Sequence, residues 1–153
     1  MKIVKGLALF LAALMLVPIA GGTRPQEARG SFTGTPTVVD FRPAGPNNIT
    51  TFKTSFVITG TFSGTCRGTE RDVSHPGGKV TFQGTCTFLG SVGSKTGNAT
   101  IRYVGLVTAT SPGGQFVMVR GAGGLTGVHA VGSFNATGPG TGTYLGRYHF
   151  DRA

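Results

Sequence analysis

The sequence has few of the residues that most enzymes use for chemistry. Of its 153 residues only five are Asp or Glu, three are His and two are Cys, and Trp is absent. No two acidic residues stand at a spacing that suggests general acid–base catalysis. The sequence also contains neither a Gly-x-Ser-x-Gly motif nor a phosphate-binding loop. These absences argue against a serine hydrolase and against a nucleotide-binding protein.

Runs of like charge are absent as well. The 14 Lys and Arg residues outnumber the acids and give a formal net charge of +9. Most stand singly along the chain, among them Arg42, Lys53, Arg67, Lys79, Lys95, Arg102, Arg120 and Arg147. Nucleic-acid-binding proteins concentrate their basic residues in a patch or stripe, so nucleic acid is not expected as a partner. Scattered basic residues instead predict a solvated cationic surface that would adhere to anionic polymers.

The N-terminal segment, residues 1–22, is predicted to be a secretory signal peptide. Two lysines precede an apolar run over residues 7–20, and small residues follow it. This order of a positive, an apolar and a small-residue region is typical of export signals. The apolar run is shorter than the about 20 residues that a membrane span needs, so no membrane span is expected. Cleavage after Ala20 or after Gly22 would give a secreted or periplasmic protein.

The rest of the chain is predicted to be one all-β domain. Glycines separate runs rich in Phe, Val, Ile and Thr, which favour strands, and no stretch has helical apolar spacing. We expect a polar, flexible leader over 23–30 and a β-barrel domain over 31–153. Strands are predicted over 31–42, 50–60, 61–73, 79–90, 98–110, 115–121, 128–136 and 142–150. Short Gly and Pro turns join antiparallel neighbours, which predicts an eight-stranded antiparallel β-barrel, mostly a meander.

Alternation of apolar and polar residues identifies the inner face of the central strands. The inner set comprises Phe52, Phe56, Ile58, Phe62, Val80, Phe82, Cys86 and Phe88. A barrel of eight strands is either filled by its own side chains or holds one small ligand. We therefore predict a small apolar or aromatic ligand as a partner. The candidate ligand-binding residues are Phe56, Phe62, Phe82, Phe88, Tyr144 and Tyr148.

The two cysteines stand in repeated phrases, TFSGTC and TFQGTC. If the strands on either side of Pro76 form a hairpin, Cys66 lies directly opposite Cys86, at a Cα separation that suits a disulfide. Exported proteins meet an oxidising environment, so we predict a Cys66–Cys86 disulfide; the alternative is two buried reduced thiols. A redox pair is not expected without a Cys-x-x-Cys motif, nor is a structural zinc site, which needs four ligands.

Glu70 is the acidic residue that stands out, because the alternation places it on the inner face with Phe62 and Cys66. A carboxylate inside an apolar barrel has a raised pKa and is a candidate catalytic group. The alternative is that Glu70 reaches solvent at the rim of the barrel, or that a bulge turns it outward.

Two of the three histidines are predicted to meet. If strands 128–136 and 142–150 pair about Pro139, His129 faces His149 on the outer face. Opposed imidazoles would bind a metal ion or respond to pH, but no third ligand is evident and catalytic zinc takes three from the protein. The alternative is a pair of surface histidines, and no metal or other cofactor is predicted.

The second half of the sequence resembles a known family. Three segments carry the resemblance: GKVTFQGTCTFLGSVGSKTGNATIRYVG, GGQFVMVRGAGGLTGVHAVGSF and GPGTGTYLGRYHFD. They are similar to small secreted bacterial domains of the allene oxide cyclase barrel-like class, whose barrel also resembles that of dirigent proteins. The resemblance covers roughly residues 55–151 and implies an eight-stranded antiparallel barrel. Most of these bacterial members have no established function, so the resemblance leaves the activity open, and none of the cyclases' catalytic residues is carried over.

Together these observations predict an exported, non-enzymatic protein whose barrel binds a small apolar or aromatic ligand. One alternative is an isomerase or cyclase, as the resemblance implies, with Glu70 as its polar group. The other is a surface-interaction module, a homo-oligomer with a filled barrel. A barrel packed solid with phenylalanine would exclude the first two functions, whereas an open mouth with Glu70 inside would favour the isomerase.

Overall fold

The computed structural model describes residues 24–110 and 112–151, and every regular element in that part of the chain is a β-strand. No helix in these two ranges is long and apolar enough to cross a membrane. The predicted signal peptide, residues 1–22, lies outside them. The strands are β1 (Gln26–Gly34), β2 (Thr37–Ala44), β3 (Asn47–Gly60), β4 (Phe62–Ser74), β5 (Val80–Val92), β6 (Lys95–Val107), β7 (Gly113–Gly123), β8 (Val128–Gly138) and β9 (Thr141–Phe150).

Eight of the nine strands form a closed antiparallel barrel, as the sequence predicts. Strands β3 to β9 pair in chain order, and β1 closes the barrel by pairing with β9 on one edge and with the C-terminal half of β3 on the other. The ninth strand, β2, pairs with the N-terminal half of β3 and is additional to the barrel. The predicted meander is therefore correct, and only β1 makes a non-sequential pairing.

The N-terminal part of the domain differs from the prediction in two ways. Residues 26–30 of the predicted flexible leader belong to β1, and the single strand expected over 31–42 is divided at Pro36 into β1 and β2. The predicted leader is polar in sequence because the charged side chains of this part of β1 point outward, while Ala28 between them is fully buried. Proline has no N–H to donate to a strand ladder, which explains the interruption.

One end of the barrel is packed solid. Its largest fully buried side chains are Phe88, Val92, Met118, Leu125 and Val128, each less than 2% exposed. Leu125 comes from the turn between β7 and β8 rather than from a strand, so this turn folds inward over the end of the barrel. The packed end leaves the opposite end as the place where a ligand would enter.

The predicted disulfide is confirmed, although the predicted register is not. Cys66 and Cys86 are bonded at a Cα separation of 5.4 Å. They are not directly opposed, because Cys66 pairs with Phe88, and Gly68 pairs with Cys86. The β4–β5 turn is centred on Gly77 rather than on Pro76, which shifts the pairing by two residues. Gly68 makes the diagonal bond possible, since a Cβ at that position would lie 2.8 Å from the Cβ of Cys86.

Candidate functional site at the open end of the barrel

A cavity of about 590 Å³ occupies the open half of the barrel. Its rim is formed by Pro36 after β1, Val80 at the start of β5, Val107 at the end of β6, Pro112 before β7 and the β8–β9 turn over 137–140. The volume lies within the range of small-molecule sites, about 300–1,000 Å³. The barrel is therefore not filled by its own side chains.

Aromatic rings from five strands surround the cavity. Neighbouring ring centroids are 5.9 to 6.4 Å apart, mostly edge to face, which is the preferred geometry for aromatic pairs. The rings belong to Phe32, Phe56, Phe82, Tyr103 and Phe134. These rings form a rigid apolar wall around a space that is large enough for a small organic molecule.

The floor of the cavity is a second aromatic layer. The rings of Phe62 and Tyr144 stack with centroids 5.1 Å apart, and Phe116 meets both edge to face. The Tyr144 hydroxyl accepts a hydrogen bond from the Phe62 N–H at 2.9 Å and donates one to the Thr59 carbonyl at 3.0 Å. Because the hydroxyl is engaged by the backbone, the floor presents its ring faces to the cavity.

The structure places four of the six candidate ligand-binding residues on the cavity. Phe56, Phe62, Phe82 and Tyr144 line it. Phe88 and Tyr148 do not, because they lie in the packed half of the barrel, with Phe88 fully buried. Phe32 and Tyr103 line the cavity but are absent from the predicted set. Their strands also alternate, so the same reasoning applied to β1 and β6 would have found them.

Two carboxyl groups point into the cavity from β4. Glu70 and Asp72 both line it, since residues two apart on a strand share a face. Glu70 pairs with Gly84 on β5, and the ring of Tyr103 from β6 lies directly over that glycine. Any larger residue at Gly84 would overlap the ring. Gly84 thus lets Tyr103 reach across β5 toward the two acids.

The pairing of Glu70 with Asp72 corrects the sequence analysis, which found no suitably spaced acids. On a helix or in a loop a spacing of two separates side chains, but on a strand it brings them together. Alternation from Phe62 through Cys66 to Glu70 already includes Asp72 at the next inward position. Glu70 lines the cavity near its mouth, where it is partly exposed, and the continuous pairing of β4 has no bulge that would turn it outward.

Burial dominates the electrostatics of this pair. It raises the pKa of both carboxyl groups, and with the negative charge of Glu70 as a second cause the pKa of Asp72 reaches about 7. Burial, followed by the charge of Glu70, also raises the pKa of the Tyr103 hydroxyl. Two interacting acids titrate as a unit. With a pKa of about 7, the Asp72 carboxyl is partly protonated near neutral pH.

Hydrogen bonding in the site is incomplete. Glu70 interacts with Tyr103 and with Asp72, yet three buried oxygen atoms lack a well-aligned partner within the described part of the chain: Thr54 Oγ1, Asp72 Oδ1 and Tyr103 Oη. Thr54 is only 4% exposed, and it interacts with the Tyr103 hydroxyl. Buried polar atoms without partners are uncommon in native proteins, and here they cluster beside an open cavity.

The raised pKa of Asp72 predicts a pH-dependent stability. The folded protein keeps a proton on Asp72 up to about pH 7, whereas the unfolded chain loses it near the ordinary value of 3.8. The free energy of unfolding should therefore fall as the pH rises between these values. Asp72→Asn should reduce this fall by about 1 kcal/mol, a figure discounted because the group is half exposed.

Urea unfolding at about pH 4.5 and about pH 7.5 measures this effect. Asp40→Asn is the matched control, because Asp40 is exposed on β2. Equal losses of stability in the wild type and in Asp72→Asn would contradict the electrostatic description of the site.

The two histidines meet on the outside of the barrel, as the sequence predicts. His129 pairs with His149, and their rings stack at 5.3 Å with an interplanar angle of 17°. The Asp151 carboxylate lies 3.0 Å from Nε2 of His129 and 3.8 Å from Nε2 of His149. Across residues 24–110 and 112–151 no group of three or more His, Cys, Asp or Glu side chains is arranged to hold a metal. The cluster is exposed to solvent, and the sequence analysis missed its carboxylate.

Comparison with known proteins supports the fold and leaves the activity open. No protein-family model and no curated protein matches the chain. Among solved structures, it is similar to a protein of unknown function of the DUF3224 family from Shewanella oneidensis MR-1, with a TM-score of 0.73, 17% identity, and coverage of 84% of this chain and 99% of that one. At this identity the likeness concerns the fold alone. It supports the antiparallel β-barrel fold and offers no evidence for the allene oxide cyclase or dirigent assignment.

Proposed function

We propose that this protein is exported and that it binds one small apolar or aromatic molecule in the open end of its barrel. The observation that carries the proposal is the cavity of about 590 Å³, lined almost entirely by apolar side chains and open at one end only. Eight-stranded barrels either fill their interior or hold one small ligand. Here the packed half supplies the stability, and the aromatic half is available for binding.

Export is supported by the disulfide and by the predicted signal peptide. Disulfides persist in oxidising compartments and are rare in the cytosol, and both cysteines of this chain are bonded to each other. A binding protein in the periplasm or the medium would meet small apolar molecules before they reach a membrane. The scattered basic residues would keep such a protein soluble and close to anionic surfaces.

A second candidate function, an isomerase or cyclase, is favoured by the carboxyl pair. When one of two adjacent carboxyls retains a proton near neutral pH and the other is ionised, an acid and a base stand side by side. Burial raises the pKa of both Glu70 and Asp72, that of Asp72 to about 7, which supports such an arrangement, and the Tyr103 hydroxyl interacts with Glu70. The open mouth with Glu70 inside is the arrangement that the sequence analysis named as favouring this alternative.

Native mass spectrometry of the protein purified from the extracytoplasmic fraction of its own host tests both candidates. We expect a single small-molecule adduct that is lost under denaturing conditions and recovered unchanged after incubation with the protein. Conversion of the recovered molecule into an isomer would establish the isomerase instead. A bare protein that also fails to bind added apolar molecules would contradict both, and the same spectrum reports whether copies of the chain associate.

A further inference from the structure

We infer that the molecule held in the barrel is an apolar amine whose cationic head lies against Glu70 and Asp72. This inference deepens the proposed function and rests on it. It commits to a chemical class, an aromatic or aliphatic body with one protonated nitrogen.

The distribution of charge is the first argument. The chain carries a formal net charge of +9, yet no Lys, Arg or His is found among the described residues that line the cavity. On the surface, Glu27 forms an ion pair with Arg29, and Asp151 contacts His129. Within residues 24–110 and 112–151, no cationic side chain is found to pair with Glu70 or Asp72. A cationic ligand would therefore complement the negative charge of the two acids, whereas an anionic ligand would be repelled by them.

The unsatisfied oxygen atoms are the second argument. Asp72 Oδ1 and Tyr103 Oη are buried and lack a well-aligned hydrogen-bond partner among the described residues, and the Thr54 hydroxyl on β3 interacts with Tyr103. An ammonium group carries three donors and no acceptor. It would satisfy several of these atoms at once, whereas an alcohol would bring a single donor and a ketone none. Charge-assisted hydrogen bonds of this kind are also stronger than neutral ones.

The aromatic rings beside the acids are the third argument. Phe82 pairs with Asp72 across β4 and β5, and the rings of Phe82, Tyr103 and Phe134 lie 6.0 to 6.4 Å from one another. Cations bind favourably over aromatic faces within about 6 Å of a ring centroid. The two carboxyl groups lie together in the cavity, and aromatic rings surround them. This arrangement suits a ligand that carries a positively charged group on an apolar body.

Binding of a cationic ligand should release a proton from the two acids, and only a cationic ligand would produce this effect. The groups that face the acids are Phe52 and Thr54 from β3, Phe82 and Gly84 from β5, and Tyr103 from β6. The titratable side chains among the described cavity-lining residues are Glu70, Asp72, Tyr103 and Tyr144, and the Tyr144 hydroxyl is bonded to the backbone at the floor of the cavity. Because the pKa of Asp72 is about 7, that carboxyl is partly protonated near neutral pH, and a bound cation would displace its proton into solvent. An uncharged ligand of the same shape would leave it in place.

Competition against a neutral fluorescent probe tests the inference. Prodan reports occupancy of the cavity, and three competitors differ only in their head: 4-phenylbutylamine, 4-phenylbutanol and 5-phenylpentanoic acid. We expect the amine to displace prodan at a concentration at least about tenfold lower than the alcohol near pH 7, and the acid to be weakest. Calorimetry in two buffers of different ionisation enthalpy should show proton release for the amine alone.

Substitution of the two acids tests whether they cause the preference for the amine over the alcohol. In Glu70→Gln with Asp72→Asn the advantage of the amine should be lost, so that the amine and the alcohol displace prodan at similar concentrations. Asp40→Asn, an exposed acid on β2, should keep the wild-type preference. If prodan binds but the amine is no better than the alcohol in the wild type, the inference is wrong and the proposed function stands. If neither prodan nor any competitor binds, both are wrong.

Discussion

Filling the mouth of the barrel at Ala136 with a tryptophan side chain is expected to abolish binding of apolar molecules. Ala136 lies near the end of β8 and lines the cavity close to the rim. An indole ring at this position would occupy the space between Pro36, Val107 and the β8–β9 turn, where a ligand must enter. We expect the affinity for a neutral probe such as prodan to fall at least about tenfold, because binding in a cavity of this size buries most of the ligand surface.

Ala122→Trp provides the matched control for this experiment. Ala122 is an exposed alanine near the end of β7, at the packed end of the barrel, so the same substitution there leaves the mouth open. Thermal unfolding of both variants verifies that each is folded. Undiminished probe binding by a folded Ala136→Trp protein would place the binding site somewhere other than the barrel interior.

Removal of the disulfide is expected to produce the largest loss of stability of any change considered. Cys66 and Cys86 are separated by 20 residues and are both buried. A cross-link that closes a loop of this size stabilises a protein by about 3 kcal/mol, mainly by restricting the unfolded chain. The double variant Cys66→Ala, Cys86→Ala should therefore lose about 3 kcal/mol in chemical unfolding, with a fall in Tm of roughly 10 °C.

A reducing agent supplies the control for this prediction. It should lower the stability of the wild type to about that of the double variant and should leave the double variant unaffected. A loss below about 0.5 kcal/mol would show that the disulfide contributes little to the free energy of unfolding. It would then no longer support the proposal that the protein folds in an oxidising compartment.

The sequence predicts the barrel well because the signals for it are local. Alternation of period two along β3 and β4 assigns faces, and Gly and Pro turns separate the strands. Register is set by the turn, and here the prediction fails by two residues because Gly77 and Gly78 shape the β4–β5 turn with φ of +91° and +87°. A shift of two preserves the face of every side chain. Cys66 and Cys86 therefore still meet inside, and the disulfide prediction survives the error.

The candidate site was only partly predictable because its members meet across strands. Glu70 follows from alternation, and Asp72 would have followed from the same argument carried one step further. The approach of Tyr103 depends on Gly84, which lies on the intervening strand and whose importance is clear only once β4, β5 and β6 are paired. The packing of Phe88 and Tyr148 away from the cavity was not predictable, since alternation assigns a face but not a height along the barrel.

Binding of an apolar molecule inside the barrel is tested most directly by a nuclear magnetic resonance titration of the labelled protein with prodan. The largest shifts are predicted at the methyl groups of Ile58, Ile101 and Val107, which line the cavity. The exposed outer residues Val57, Val131 and Leu145 serve as internal controls. Saturable shifts confined to the inner set are the predicted result. Shifts confined to the outer set, or none at millimolar probe, would contradict the account.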